Sequence, residues 1–400
     1  MKKLAEASDR LKGQEMFQIL ERVKELEKQG EKIFHFELGD PGFRSPDVAF
    51  EAICKSIQDG ETHYTNSSGV PDLRKEVVEF VEKNKRFKTN EKQILITPGA
   101  NIQIFYAAAC IANSGDEIIV PDPAFVSYFS ILDFLDIKII RVPLLEENNF
   151  RLNPSDVEKA ITDKTKMIII NSPSNPTGSV MTTEEIKEIY EIAKKHDLFL
   201  VSDEIYGNIV YNGNYPFSAG QLDNCQERVI IIDGLSKRYA MTGWRIGFMI
   251  APENLIRKMA LLLETTSSCV SPFIQRAAIA VLRKDEAISL NNVQKLKKRR
   301  DVLVEGLNSL PGVKCLNPEG AFYAFPNIKG TGMTGREFCE FMLEKARVAI
   351  SPGDVFGKYG EDYVRLSYSK ISEEDIKKAV DKMKAVLEKS IKNSQIKNKE

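Results

Sequence analysis

The chain has 400 residues, 56 of them basic and 57 acidic, for a formal net charge of −1. That balance offers no electrostatic handle to nucleic acid or an anionic membrane, and no apolar run approaches the roughly eighteen residues of a membrane span. The length is enough for two or three domains, each with a sizeable core.

The start, MKKLAEASDRLKGQE, has two lysines with no apolar stretch behind them, unlike a secretory signal. Six cysteines at 54, 110, 225, 269, 315 and 339 form no Cys-x-x-Cys pair. They have the pattern of free thiols in a reducing cytoplasm rather than of a disulfide or zinc framework. His35, His63 and His196 are far apart in sequence and read as structural rather than metal-ligating.

In chain order, a helical pattern over 16–30 leads into IFHFELGDPGF. Seven β-branched runs follow: QILIT (93–97), DEIIV (116–120), KIIRV (138–142), KMIII (166–170), LFLVS (198–202), VIIID (229–233) and RIGFMIA (245–251). Amphipathic stretches lie between some of them. In TEEIKEIYEIAKKH (183–196), Ile186, Ile189, Tyr190 and Ala193 recur at helical spacing, and Thr182 or Thr183 is placed to cap. Strands alternating with helices predict an α/β fold with a mostly parallel seven-stranded sheet covered by helices.

Beyond 285 long charged helical patterns bracket three strand-rich patches, AFYAFPNI (321–328), ARVAISPG (346–353) and YVRLSYS (363–369). The organisation expected is a large domain over 46–280 and a smaller α+β domain made from 1–45 and 281–400, joined by a long helix starting near Pro272. GTGMTG (330–335) fits Gly-x-Gly-x-x-Gly, with Asp354 near the acid spacing of a dinucleotide fold. Pro326 interrupts the preceding strand and the glycines do not begin at its end, so a loop with a helix cap is the better account.

Ligands of open parallel sheets bind beyond the carboxyl ends of the strands, and here those ends are chemically dense. QILIT is followed by Pro98-Gly99-Ala100-Asn101, a small-residue helix start that suits a phosphate. DEIIV runs into Phe125, KMIII into the rigid loop NSPSNPTG with Asn175, LFLVS into Asp203 and Tyr206, and VIIID into Lys237. A phosphorylated aromatic aldehyde held by a lysine, pyridoxal phosphate, uses every one of these groups: an amine for the imine, an anion for the pyridine nitrogen, donors for the phenolate and cations for the phosphate.

SDEIY (202–206), NSPSNPTG (171–178) and SKRYAMTGWRIG (236–247) resemble the fold-type I, class I aminotransferases, and in particular the subgroup with many bacterial and archaeal aspartate aminotransferases. GDPGFRSP (39–46), HYTNSSGVPDLR (63–74), AFYAFP (321–326) and VRLSY (364–368) extend the likeness over most of the chain. The resemblance implies a pyridoxal-phosphate-dependent aminotransferase that moves an amino group from an L-amino acid, glutamate or aspartate, to a 2-oxo acid.

Residue by residue, the resemblance makes Lys237 the aldimine and proton-shuttling lysine, Asp203 the partner of the pyridine nitrogen, and Tyr206 and Asn175 the donors to the phenolate oxygen. Gly99, Ala100 and Asn101 fall on the phosphate-binding helix start, Arg245 on the phosphate arginine, and Phe125 on the ring against the pyridine face. Tyr64 matches a tyrosine that reaches the phosphate of a neighbouring subunit, implying a homodimer. Arg365 matches the fork for the substrate α-carboxylate, and Gly39 a backbone contact to it. Met16, Phe17 and Ile19 fall in a segment that covers the site in relatives. Cis bonds at Asp122–Pro123 and Asn175–Pro176 are implied as well.

Two positions depart from the pattern. Gly234 stands where many relatives carry a phosphate-binding serine, and Asn101 where some aspartate-specific relatives carry a lysine for the distal carboxylate. The same cofactor also serves β-lyases and cyclising synthases, the alternative reading. A cofactor-sensing DNA-binding regulator would need a further domain ahead of the fold, and about 30 residues precede IFHFELGDP.

Overall fold

The computed structural model describes residues 3–11, 16–212 and 216–397, the side chains of 16–19, 286–290 and 391–397 excepted. At its centre is a seven-stranded sheet of Ile94–Thr97, Glu117–Asp122, Lys138–Pro143, Thr165–Asn171, Phe199–Asp203, Val229–Gly234 and Gly247–Ile250. Numbered one to seven in chain order, the strands lie in the order one-seven-six-five-four-two-three. All pair in parallel except the seventh, which is antiparallel to both its neighbours. Thr97 and Gly234 therefore both sit opposite Gly247. The start of that reversed strand lies at the edge where the others end.

Side-chain alternation divides the core into two layers. Ile94, Ile96, Ile168, Ile170 and Ile231 face the helices Pro71–Lys85, Thr183–Lys195 and Pro272–Leu282. Leu95, Met167, Ile169, Ile230 and Met249 face Asn101–Ile111, Val126–Phe134 and Glu253–Ser267. With both faces buried, the strands carry unbroken apolar runs rather than alternating ones. Thr182, not Thr183, caps its helix: its hydroxyl accepts from Glu185 N at 3.2 Å, and the Glu185 carboxylate accepts from Thr182 N at 2.8 Å.

A separate apolar cluster joins the two ends of the chain. Phe34–His35 pairs in parallel with Val348–Ala349. Ser351–Pro352, Val364–Ser367 and Tyr323–Ala324 form a three-stranded antiparallel sheet. Leu303, Leu307, Phe338, Ile376 and Met383 from the surrounding helices pack with these strands. GTGMTG forms a turn into helix Gly335–Phe341, with Thr334 as cap and Glu337 closing the capping box.

The expected long helix from Pro272 is instead two, Pro272–Leu282 and Asp285–Asn308. The break is tied down from outside. Asp285 is 5 % exposed and takes Arg238 Nε and Nη2, each at 2.5 Å, and the Tyr239 hydroxyl at 2.5 Å. Arg283 Nε reaches Glu76 at 2.7 Å. A buried carboxylate at the first turn of a new helix gains both from these donors and from the positive end of the helix dipole, and continuous helical periodicity in the sequence hides such a joint. Asp122–Pro123 and Asn175–Pro176 are cis, and so is Ser172–Pro173.

Candidate active site

A cavity of about 270 Å³ opens where the carboxyl edge of the sheet meets the terminal cluster. Gly39, Ala100, Asn101, Phe125, Asn175, Asp203, Tyr206, Lys237, Arg245 and Arg365 all line it. A larger groove of about 700 Å³, between Pro71–Lys85 and Leu282–Asp285, holds open, mixed charges and none of these groups.

Lys237 stands on the short helix Leu235–Arg238 that follows Gly234. Its ammonium donates to Gly39 O at 2.7 Å, so the N-terminal segment touches the sheet at the reactive amine. Lys237 keeps some surface toward the cavity, yet desolvation at that depth lowers its pKa to about 8. An amine that is partly neutral near pH 7 can attack a carbonyl carbon.

Asp203 ends its strand 7 % exposed. Its Oδ2 accepts from the Tyr128 hydroxyl at 2.5 Å and its Oδ1 from Ile205 N at 3.1 Å. Burial pushes its pKa up to about 6, against the pull of those two donors. Lys85, buried behind it, bridges Glu204 at 2.7 Å and Asp233 at 2.8 Å, so the neighbouring acids are not left unpaired. Tyr206 and Tyr323 hydroxyls are 2.8 Å apart. Burial raises the Tyr206 pKa far above the usual phenol range, which keeps it a neutral donor. Phe125 meets Tyr128 edge to face, with ring centroids 5.7 Å apart.

The end of the cavity at Arg245 is built by close approach. Gly99 has φ +85°, which favours glycine, and a Cβ there would lie 2.4 Å from Arg245 Nη2, so the guanidinium lies close over the glycine. The guanidinium is held by its own turn, Nη1 donating to Thr242 O at 2.8 Å. Helix Asn101–Ile111 starts beside it without a side-chain cap, leaving first-turn N–H groups for an anion. Gly234 is pressed against the reversed strand: a Cβ would lie 3.0 Å from Gly247 Cα. The hydroxyl on this turn belongs to Ser236, which lines the cavity.

Arg365 is 1 % exposed, its guanidinium carbon 4.8 Å from the Tyr323 ring centroid and 4.6 Å from that of Phe356. Nη2 donates to Glu37 O at 2.6 Å and Nη1 to Asn175 Oδ1 at 3.3 Å, while Nε is buried with no partner. A guanidinium clamped between two rings with donor capacity to spare fits a carboxylate ligand.

Gly99 does not line the cavity, though Ala100 and Asn101 after it do. Tyr64 is 88 % exposed and does not line it, and the side chains of Met16, Phe17 and Ile19 lie outside the described residues. Sequence reasoning also missed Tyr128, Tyr323, Asp40 and Thr242. Asp40 accepts from Thr242 Oγ1 at 2.7 Å and pairs with Lys370 at 2.5 Å, placing a carboxylate on the wall. The signal for Tyr128 was its place one helical turn beyond Phe125.

This donor set fits pyridoxal phosphate: a low-pKa amine, a buried carboxylate, phenol and amide donors, and an arginine beside an uncapped helix start. A sheet with such a site at its carboxyl edge defines an α/β enzyme built around a half-buried lysine. Comparison makes the class definite: residues 31–383 match the family model for aminotransferase class I and II, and the chain belongs to that family. It is 38 % identical to an aspartate aminotransferase of Pyrococcus horikoshii over 94 % of this chain and 95 % of that one. It is also 38 % identical to aromatic-amino-acid aminotransferase 2 of Thermococcus litoralis, over 92 % and 95 %. Among solved structures, the aspartate aminotransferase of Rhizobium meliloti superposes with a TM-score of 0.92 at 30 % identity, covering 97 % of this chain and 99 % of that one.

Proposed function

We propose that this aminotransferase transfers the amino group of an L-amino acid, with glutamate or aspartate as donor, to a 2-oxo acid, using pyridoxal phosphate held at Lys237. One observation carries the reading: a single cavity holds a lysine with its pKa lowered to about 8, a buried carboxylate and a buried arginine with a spare donor. The cofactor, when bound, supplies an electron sink for charge developing at the substrate Cα. Lys237 binds the cofactor's aldehyde carbon and moves the proton at Cα. Asp203, fixed by Tyr128, holds a proton on the ring nitrogen. Tyr206 and Asn175 donate to the phenolate oxygen, Phe125 covers the ring, and Gly99, Ala100, Asn101 and Arg245 bind the phosphate. Arg365 and Gly39 take the substrate α-carboxylate, with Asn175 beside them.

Mixing the holoenzyme with L-glutamate alone tests the reaction type. The visible band should disappear, with release of about one 2-oxoglutarate per cofactor, and then stop, as a double-displacement enzyme must. Continuous product release would mean a lyase instead; the relatives compared all carry transaminase names.

The exposure of Tyr64, together with Phe50 at 41 % and Leu261 at 57 %, supports a homodimer in which Tyr64 reaches the neighbouring subunit's phosphate. A solution mass of about 90 kDa, twice the 45.1 kDa chain, is expected; a monomer at working concentration would overturn it. The division into 46–280 against 1–45 and 281–400 is part of the same reading, supported by an apolar cluster drawn mainly from the terminal segments, with Ile205, Tyr206 and Ile209 joining it. Six free cysteines accord with the cytoplasm, and no helix among the described residues is long and apolar enough to cross a membrane.

A further inference from the structure

The N-terminal segment brings up behind Arg365 a carboxylate that the proposed reaction does not use. Glu37 is 1 % exposed. Its backbone carbonyl accepts Arg365 Nη2 at 2.6 Å and Ser351 Oγ at 3.0 Å. Its side chain points to another partner: Oε1 meets His35 Nδ1 at 2.9 Å, and Oε2 is buried with no partner. His35 in turn meets Glu27, on helix Met16–Lys28, through Nε2 at 3.1 Å. Arg365 Nε is likewise buried and unpartnered. A carboxylate oxygen and a guanidinium N–H, the best-matched pair in protein chemistry, are thus both left open on residues that already touch through the backbone.

We propose that His35 is a positioning residue that holds the Glu37 carboxylate away from Arg365, keeping the guanidinium available for the substrate α-carboxylate. This rests on the role proposed above for Arg365. The imidazolium bridges Glu27 and Glu37, and one cation between two acids satisfies Glu37 without recruiting the arginine. Other charges around this strand are engaged elsewhere. Lys32 and Lys382 face the Phe34 ring, on the opposite side of the strand by alternation. Lys32 also pairs with Asp375, and Arg347 pairs with Glu31 and Glu344.

The Glu37 hydrogen bond, and with it Glu27, raises the His35 pKa above that of a free imidazole. The ring therefore holds its charge to higher pH than a free imidazole does and loses it as the pH rises through that raised value. Glu37 is then a buried anion with a neutral neighbour, and Arg365, on which its charge already acts, is the cation buried beside it. Substrate and Glu37 compete for one fork.

The test is single-turnover reaction of the pyridoxamine-form holoenzyme with 2-oxoglutarate, whose carboxylates do not titrate in this range. In the unmodified enzyme the half-saturating concentration should be flat at lower pH and rise about tenfold or more above the His35 midpoint. The limiting rate should not follow that midpoint, because only ground-state binding changes. With three histidines in the chain, the His35 imidazole resonance is the one lost in His35→Leu, and its midpoint should coincide with the rise.

His35→Leu should bind 2-oxoglutarate about tenfold or more weakly at every pH, and His35→Leu/Glu37→Gln should recover near-normal binding. A role limited to docking the N-terminal helix would not be rescued by that amide. A flat pH dependence in the unmodified enzyme, or no rescue in the double variant, overturns the proposal. Should His35→Leu fail to fold, Glu37→Gln alone decides by losing the pH dependence or retaining it. If Arg365→Leu left 2-oxoglutarate binding unchanged, the assignment of Arg365 itself would fall instead.

Discussion

Lys237→Ala should lack both transaminase turnover and the visible absorbance that borohydride fixes to the chain. Among the described residues, the cations lining the cavity are Lys237, Arg245 and Arg365. An arginine does not give up its proton in a protein and so can neither form the imine nor accept a proton at Cα. Loss of the proton transfer alone is worth about 10²–10⁴-fold, and loss of the covalent anchor adds to it, so a fall of at least about 10⁴-fold is expected. Asp203, Tyr206 and Arg245 remain, so pyridoxal phosphate should still bind, but dialysably. Mass spectrometry after borohydride treatment checks this directly. A reduced cofactor adduct on the variant would place the reactive amine elsewhere.

Arg365→Leu is the second large effect. Every α-amino acid presents the same carboxylate whatever its side chain, and the guanidinium, fully buried between Tyr323 and Phe356, is the group offered to it. Removing one partner of such a pair costs about 2–5 kcal/mol, which lowers kcat/KM by roughly 30-fold to several thousand-fold. The loss should be uniform across a panel of amino acids, and the cofactor absorbance unchanged. A loss confined to acidic substrates would put Arg365 at the distal carboxylate and reverse the substrate in the site.

The parallel sheet could be read from the sequence because burial on both faces turns strands into unbroken apolar runs, and most of the cavity lining because those residues follow the runs directly. What escaped were relations that no local pattern encodes. Tyr128 looks like any aromatic on an apolar helix until its hydroxyl is found on Asp203. Continuous helical periodicity conceals the joint at Arg283 and Lys284, since Asp285 takes its partners from residues 46 and 47 positions away. Gly234 reads as a lost phosphate contact, and becomes intelligible only when Gly247 is seen against it. Arg245 precedes its strand instead of following it, and reaches the shared edge because that strand alone runs backwards.

The hydrogen bond from Arg365 to Glu37 O spans 328 positions of sequence. On a ribosome, the chain emerges with Lys237, Asp203 and the phosphate loop long before residue 365 has been made. The side chains proposed for the cofactor fall in one continuous stretch, whereas the arginine proposed for the carboxylate waits for the two ends of the polypeptide to meet, the slowest kind of contact for a chain to close. On the proposed roles, a growing chain carries its own cofactor-binding side chains before it carries the arginine for the substrate carboxylate. A nascent or prematurely terminated chain lacks the guanidinium that would hold an amino acid in place.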